Sequence, residues 1–114
     1  MGFFSNLFTS PEKRLKQRIE QVVVEQYSSY ELRPEVSPSV FNGSSDARTI
    51  SYVLYYRTEP KLGIMVLSNT NDYKKADVLA SHKVCKDAGF NCINIMSYLP
   101  STYEYINGVI GNNL

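Results

Sequence analysis

Leu62-Gly63-Ile64-Met65-Val66-Leu67 runs without a single polar side chain, and it constrains the fold more than any other segment. A strand with one wet face alternates apolar and polar residues, so a short continuous run predicts a strand covered on both faces. The chain must then supply layers above and below one sheet. The preceding segment, Ile50-Ser51-Tyr52-Val53-Leu54-Tyr55-Tyr56-Arg57, is rich in β-branched and aromatic residues. With Glu59-Pro60-Lys61 between the two, the pair reads as a hairpin turning at Pro60.

Helices must come from the flanks. Ser10-Pro11-Glu12 is a helix start, with a capping hydroxyl and a proline where no hydrogen bond is lost. Leu15, Ile19, Val22, Val23 and Gln26 then recur at helical spacing to about Tyr27, and Val24 falls on the polar side, as a lapse in the pattern or a contact with something else. Tyr30, Leu32, Pro34 and Val36 alternate with Glu31, Arg33 and Glu35, an edge strand because of Pro34. Residues 37–48 form a polar loop. Asn71 or Asp72 is placed to cap a second helix ending at Gly89, with Ala76, Leu79, Ala80, Val84 and Ala88 inward. Asn91-Cys92-Ile93-Asn94-Ile95-Met96 reads as a buried strand parallel to 62–67 through a right-handed crossover. Thr102 starts a short final helix ending near Val109. The expected order is α-β-β-β-α-β-α: one α/β (α+β) domain over residues 1–114, with a mixed central sheet flanked by helices, a core over 10–110, an apolar N-terminal segment over 1–9 and a frayed tail over 111–114.

With 114 residues, 43% of them apolar and 20% charged, one self-folding core is expected and a two-lobed enzyme is not. Lys and Arg number 12 against 11 Asp and Glu, so any basic surface must be local. Cys85 and Cys92 make no CxxC or metal-ligand pattern, and with one histidine there is no zinc or iron–sulfur set, so both are expected as free thiols in a cytoplasmic protein. Glycine spacing gives no phosphate loop. The start of the chain lacks the basic flank and cleavage site of a secretory signal. Asn6 stands where a myristoylation motif wants Ser or Thr. Phe3, Phe4, Leu7 and Phe8 would share a helical face without adjacent Lys or Arg, which argues against membrane attachment and for a packed or partner-covered segment.

The element order, with Tyr27 to Val36, Ser51-Tyr52-Val53-Leu54 and Gly63-Ile64-Met65-Val66-Leu67, resembles the PD-(D/E)XK nuclease-like superfamily, the restriction-endonuclease-like fold. Within it the chain looks closest to small bacterial members without an assigned function. The resemblance covers about Glu12 to Met96. It implies an acid near the start of the second strand, and an acid with a lysine on the third, holding Mg²⁺ to activate water. Asp46 and Glu59-Pro60-Lys61 match literally. A hairpin turning at Pro60, however, separates them by roughly 25 Å, too far to share a metal. The same folding puts Ser51 and Tyr52 opposite Ser68 and Leu67, and the two carboxylate positions near Ser51 and Val66. Neither is acidic, so the resemblance implies a degenerate site with no metal or other cofactor. One alternative is a migrated Mg²⁺-dependent nuclease site built on Asp46 and Asp72 with Lys74, and Glu20 or Glu25 nearby.

On the second helix Lys75, His82 and Lys86 project together, with Lys83 at the margin and Lys74 in the first turn, a basic stripe that suits nucleic acid. His82 has no nucleophile placed beside it. Nine tyrosines and no tryptophan suit an interface, and Tyr52, Tyr55, Tyr56 and Tyr73 are the expected contacts with a protein partner or a second copy. The sequence thus points to a binding or regulatory module and away from an enzyme, with nucleic-acid binding as the first alternative.

Overall fold

A computed structural model describes residues 10–114; the apolar segment 1–9 lies outside the described residues. Helix α1 spans Pro11–Gln26, and the Ser10 hydroxyl accepts the Lys13 amide at its start. Strands β1 (Glu31–Val36), β2 (Ile50–Tyr56), β3 (Glu59–Leu67) and β4 (Asn91–Met96) form one sheet in the order β1-β2-β3-β4. The first two pairings are antiparallel and β3–β4 is parallel. Helix α2 (Ala76–Asp87) is the crossover between β3 and β4, and α3 (Tyr103–Asn113) closes the chain. The expected order of elements is the observed one.

The apolar run in β3 is buried on both faces, as its composition requires. Ile19 and Val22 of α1 and Ile106 and Ile110 of α3 pack on Leu54, Ile64 and Ile95 on one side of the sheet. Val78 and Cys85 of α2 pack with Val53, Met65 and Phe90 on the other. The molecule is a single α+β domain of three layers.

Four local features differ from the sequence pattern. The hairpin turns at Arg57-Thr58, with φ of 50° and 69°, the left-handed pair of a two-residue turn whose twist suits the strands. Pro60 therefore lies inside β3, and Tyr52 pairs with Ile64 instead of Leu67, with a bulge between Leu54 and Tyr55. Helix α2 starts at Ala76 because a 3₁₀ turn over Asp72–Lys74 precedes it and Lys75 is extended, with ψ of 144°. Its inner face is Val78, Ser81 and Cys85, while Ala76 and Ala88 are exposed and Leu79 is 55% exposed. A serine can sit inward because its hydroxyl donates to the carbonyls of Arg48 and Asp77.

The last helix continues through Asn113, past the expected end near Val109. Asn91 donates to the Asn113 carbonyl at 3.1 Å, and Asn113 donates to that of Val109 at 2.7 Å. The fourth feature is a matched kink. Val36 and Ile50 pair across β1–β2 and both enter the α2-side core, although simple alternation from Tyr52 and Leu54 would send Ile50 to the other side. Glu35 takes a left-handed φ of 50° and Ser51 turns its hydroxyl onto the next strand, so both strands change face together.

Candidate functional site

Ser51 lies on β2 and Val66 on β3, the two residues expected from the resemblance at its carboxylate positions. There the Ser51 Oγ accepts the Val66 amide at 2.9 Å. A hydroxyl completing a strand ladder satisfies a backbone donor, and it offers no anionic oxygen to a divalent cation. Of the two carboxylates of the alternative site, Asp72 is engaged elsewhere. Asp72 is 3% exposed and faces Lys75 Nζ at 3.0 Å, Arg48 at 3.5 Å and the Asn69 amide at 3.3 Å. Lys75, the Asn69 amide and Arg48 hold its carboxyl below the usual range against the opposing effect of burial. Asp46 is exposed in the loop before β2.

Lys74 lies over the Tyr73 ring at 5.6 Å. Glu20 accepts the Tyr52 hydroxyl, and Glu25 that of Tyr103 at 2.7 Å. Glu59 pairs with Lys61 at 3.1 Å beside the hairpin turn. Among the described residues no three His, Cys, Asp or Glu side chains gather as a metal site.

The basic stripe is divided. His82, Lys83 and Lys86 line one groove of about 560 Å³ with Phe90, Asn91 and Cys92. Lys74 and Lys75 precede α2 and do not line that groove, since the extended backbone at Lys75 breaks the helix assumed for the stripe. Lys75 instead neutralises Asp72, and Lys83 is bound to Asp87 at 2.6 Å. His82 Nε2 sits 2.6 Å from the Asn94 Oδ1, which anchors the ring to β4. Lys86 has no acidic partner among the described residues.

The tyrosines also divide. Tyr52 and Tyr55 are 2% and 5% exposed, so these two expected contacts are core residues. Tyr52 is buried because its hydroxyl has the Glu20 carboxylate as acceptor, and burial with that bond pushes the phenol well above its ordinary range. Tyr55 lies beneath the Arg33 guanidinium at 4.2 Å from its ring centroid. Tyr56 is half-buried against Tyr30, ring centroids 5.1 Å apart. Tyr73 is exposed. Tyr56 pairs with Glu59 at the first residue of β3, whereas Tyr73 lies in the 3₁₀ turn that follows the other end of that strand.

An apolar feature that the tyrosine count did not reveal lies between α1 and the β1 edge. Val23, Val24, Tyr30, Leu32 and Pro34 border a groove of about 530 Å³, with Glu20 and Tyr52 also in its lining. Val24 is 71% exposed there. Its place on the polar side of α1 was the sequence signal for this groove.

Two further clusters had little or no such signal. Arg48 donates to both Asp77 oxygens, at 2.9 and 3.4 Å, and tethers the loop before β2 to α2. Cys85 and Cys92 are free thiols, one buried and one half-buried, that meet over Gly63. An isolated glycine in an apolar strand is the residue type that admits a close approach. No helix among the described residues is long and apolar enough to cross a membrane. Comparison with protein-family models, curated proteins and solved structures finds no match for this chain.

Proposed function

We propose that the chain is a catalytically silent nuclease-like domain that serves as a binding or regulatory module, with a protein as its partner. The observation that carries this reading is the 2.9 Å bond from the Val66 amide to Ser51 Oγ, at the place the resemblance assigns to the metal-binding carboxylates. A site needing anionic oxygens has become part of the strand ladder. The α1–β1 groove supports a protein partner, because its exposed Val24 and the neighbouring Tyr30, Leu32 and Pro34 offer apolar area.

Nucleic acid is the second reading, favoured by His82, Lys83 and Lys86 sharing a groove. It is weakened by the ion pairs. Lys75 and Lys83 are each neutralised by an aspartate, and phosphate binding draws its strength from cations free to replace counterions. The migrated nuclease on Asp46 and Asp72 is weaker still, since Asp72 already faces two cations.

The test combines light scattering and strand cleavage with a pool of single- and double-stranded oligonucleotides and Mn²⁺. Neither cleavage nor an oligonucleotide-dependent mass change is expected. Cleavage abolished by Asp46→Asn with Asp72→Asn would establish the migrated site. A mass change removed by Lys86→Glu would establish the nucleic-acid reading. In the folded double variant Ser51→Asp, Val66→Glu, calorimetry should gain a Mg²⁺ site absent from the parent; no gain removes the assignment of those positions.

A further inference from the structure

Gly63 pairs with Cys92 across β3–β4, and Cys85 comes down onto it from α2. A Cβ added at Gly63 would lie 2.9 Å from the Cys85 Sγ and 3.3 Å from the Cys92 Sγ. The two sulfurs therefore converge on the space that a side chain at position 63 would take. The two thiols are near enough for each to act on the other's proton affinity. The Cys92 neighbour lowers the Cys85 thiol in spite of burial, and the Cys85 neighbour together with burial pushes the Cys92 thiol far up. Cys85 is fully buried, whereas Cys92 is half-buried and forms part of the groove wall with His82, Lys86 and Phe90. Cys92 thus borders the groove, while Cys85 is enclosed in the core on the α2 side of the sheet.

We infer that Cys85 and Cys92 are a dithiol that hydrogen peroxide converts to an intrachain disulfide, with Gly63 as the cradle that lets the sulfurs meet. Cys92 loses its proton to solvent, and the thiolate so formed attacks one peroxide oxygen. The O–O bond breaks, Cys92 becomes a sulfenic acid, and the departing hydroxide takes a proton to leave as water. Cys85, as thiolate, then attacks the Cys92 sulfur. The S–S bond forms, the S–O bond breaks, and the second hydroxide leaves as water with the remaining thiol proton. The two thiols supply two electrons, and the balance is two thiols and one peroxide giving one disulfide and two waters. Closure needs the sulfurs, which converge on the space beside Gly63, to approach to about 2.05 Å, and side-chain rotation over an unsubstituted Gly63 permits this.

The experiment treats the full chain with hydrogen peroxide, quenches it in denaturant with an alkylating reagent and reads the intact mass. The expected product has lost about 2 Da and both alkylatable thiols, and dithiothreitol restores them. Cys85→Ser should instead leave Cys92 oxygenated, with gains of about 16 or 32 Da. Gly63→Ala, if folded by circular dichroism, should slow disulfide formation at least about tenfold while Cys92 remains open to alkylation, because the new methyl group keeps the sulfurs apart. If that variant does not fold, the mass of the parent decides alone. A parent that gains oxygen without losing 2 Da, forms only interchain disulfides, or does not react with peroxide overturns the inference. So does a folded Gly63→Ala protein that oxidises at the parent rate.

Discussion

Arg48 and Asp77 meet through both backbone and side chain: the Arg48 amide donates to the Asp77 carbonyl at 3.1 Å, and the guanidinium donates to both carboxylate oxygens. The same guanidinium reaches Asp72 at 3.5 Å. Loop and helix are thus joined by a planar fork that only arginine provides. Arg48→Ala should lower stability by roughly 2 kcal/mol in urea unfolding, because it also leaves the buried Asp72 with fewer cations. Arg48→Lys should recover less than half. A loss below about 0.5 kcal/mol for the alanine variant would reduce the cluster to an exposed ion pair.

Acid should weaken the fold through the same cluster. Arg48 holds the Asp77 carboxyl low, and Lys75 with the Asn69 amide and Arg48 does so for Asp72. For groups with depressed folded values, the stabilising contribution is complete above the unfolded value near about pH 4, and it is lost as pH falls through the folded value. Urea midpoints measured from about pH 6 down to about pH 2 should fall more steeply in the parent than in Asp77→Asn. Parallel curves would show that Asp77 does not participate.

At the alkaline end the sign reverses. Burial and the Glu20 bond raise the Tyr52 phenol, so its contribution is complete below the unfolded value near about pH 10 and is lost above it, as pH rises through the folded value. Tyr52→Phe should cost about 1 kcal/mol at neutral pH. It should also remove the latest-titrating tyrosine from a spectrophotometric titration, and an unchanged titration would disprove the assignment.

Two glycines in α3 should respond oppositely to alanine. A Cβ at Gly108 meets nothing within 4 Å, whereas one at Gly111 would lie 2.9 Å from the Tyr27 hydroxyl, which donates to the Asn107 carbonyl at 3.0 Å. Gly108→Ala should stabilise the protein by about 0.5–1 kcal/mol through helix propensity. Gly111→Ala should lose that gain by displacing Tyr27. Equal shifts in thermal midpoint would contradict the difference in packing.

Features governed by local chemistry were legible from residues alone. The Ser10-Pro11 start, the Leu15–Val23 stripe, the edge position of Pro34 and the doubly covered β3 run all follow from side-chain type and period. What the sequence hid depends on distant partners. Arg57-Thr58 carries none of the Asn or Gly signal of its turn, so Pro60 looked like the corner and the register came out three residues away. Ser81 points inward because carbonyls of Arg48 and Asp77 await it, which reverses the face expected from Leu79. Lys75 leaves the expected stripe for Asp72, and Tyr52 and Tyr55 leave the expected surface for Glu20 and Arg33. Ser51 meets the Val66 amide because its side chain reaches past its ladder position, a contact that the expected pairing with Ser68 did not contain.

The Arg57-Thr58 corner bears on the order in which the protein assembles. Left-handed φ angles at an arginine and a β-branched threonine are disfavoured in an isolated peptide. The β2–β3 hairpin is therefore not expected to nucleate from its tip. Closure should instead depend on the apolar middle of the two strands and the helices that cover it, with the corner forming late. Replacing Arg57-Thr58 by Asn-Gly should slow unfolding while leaving the folding rate nearly constant, the kinetic signature of a turn that forms after the rate-limiting step.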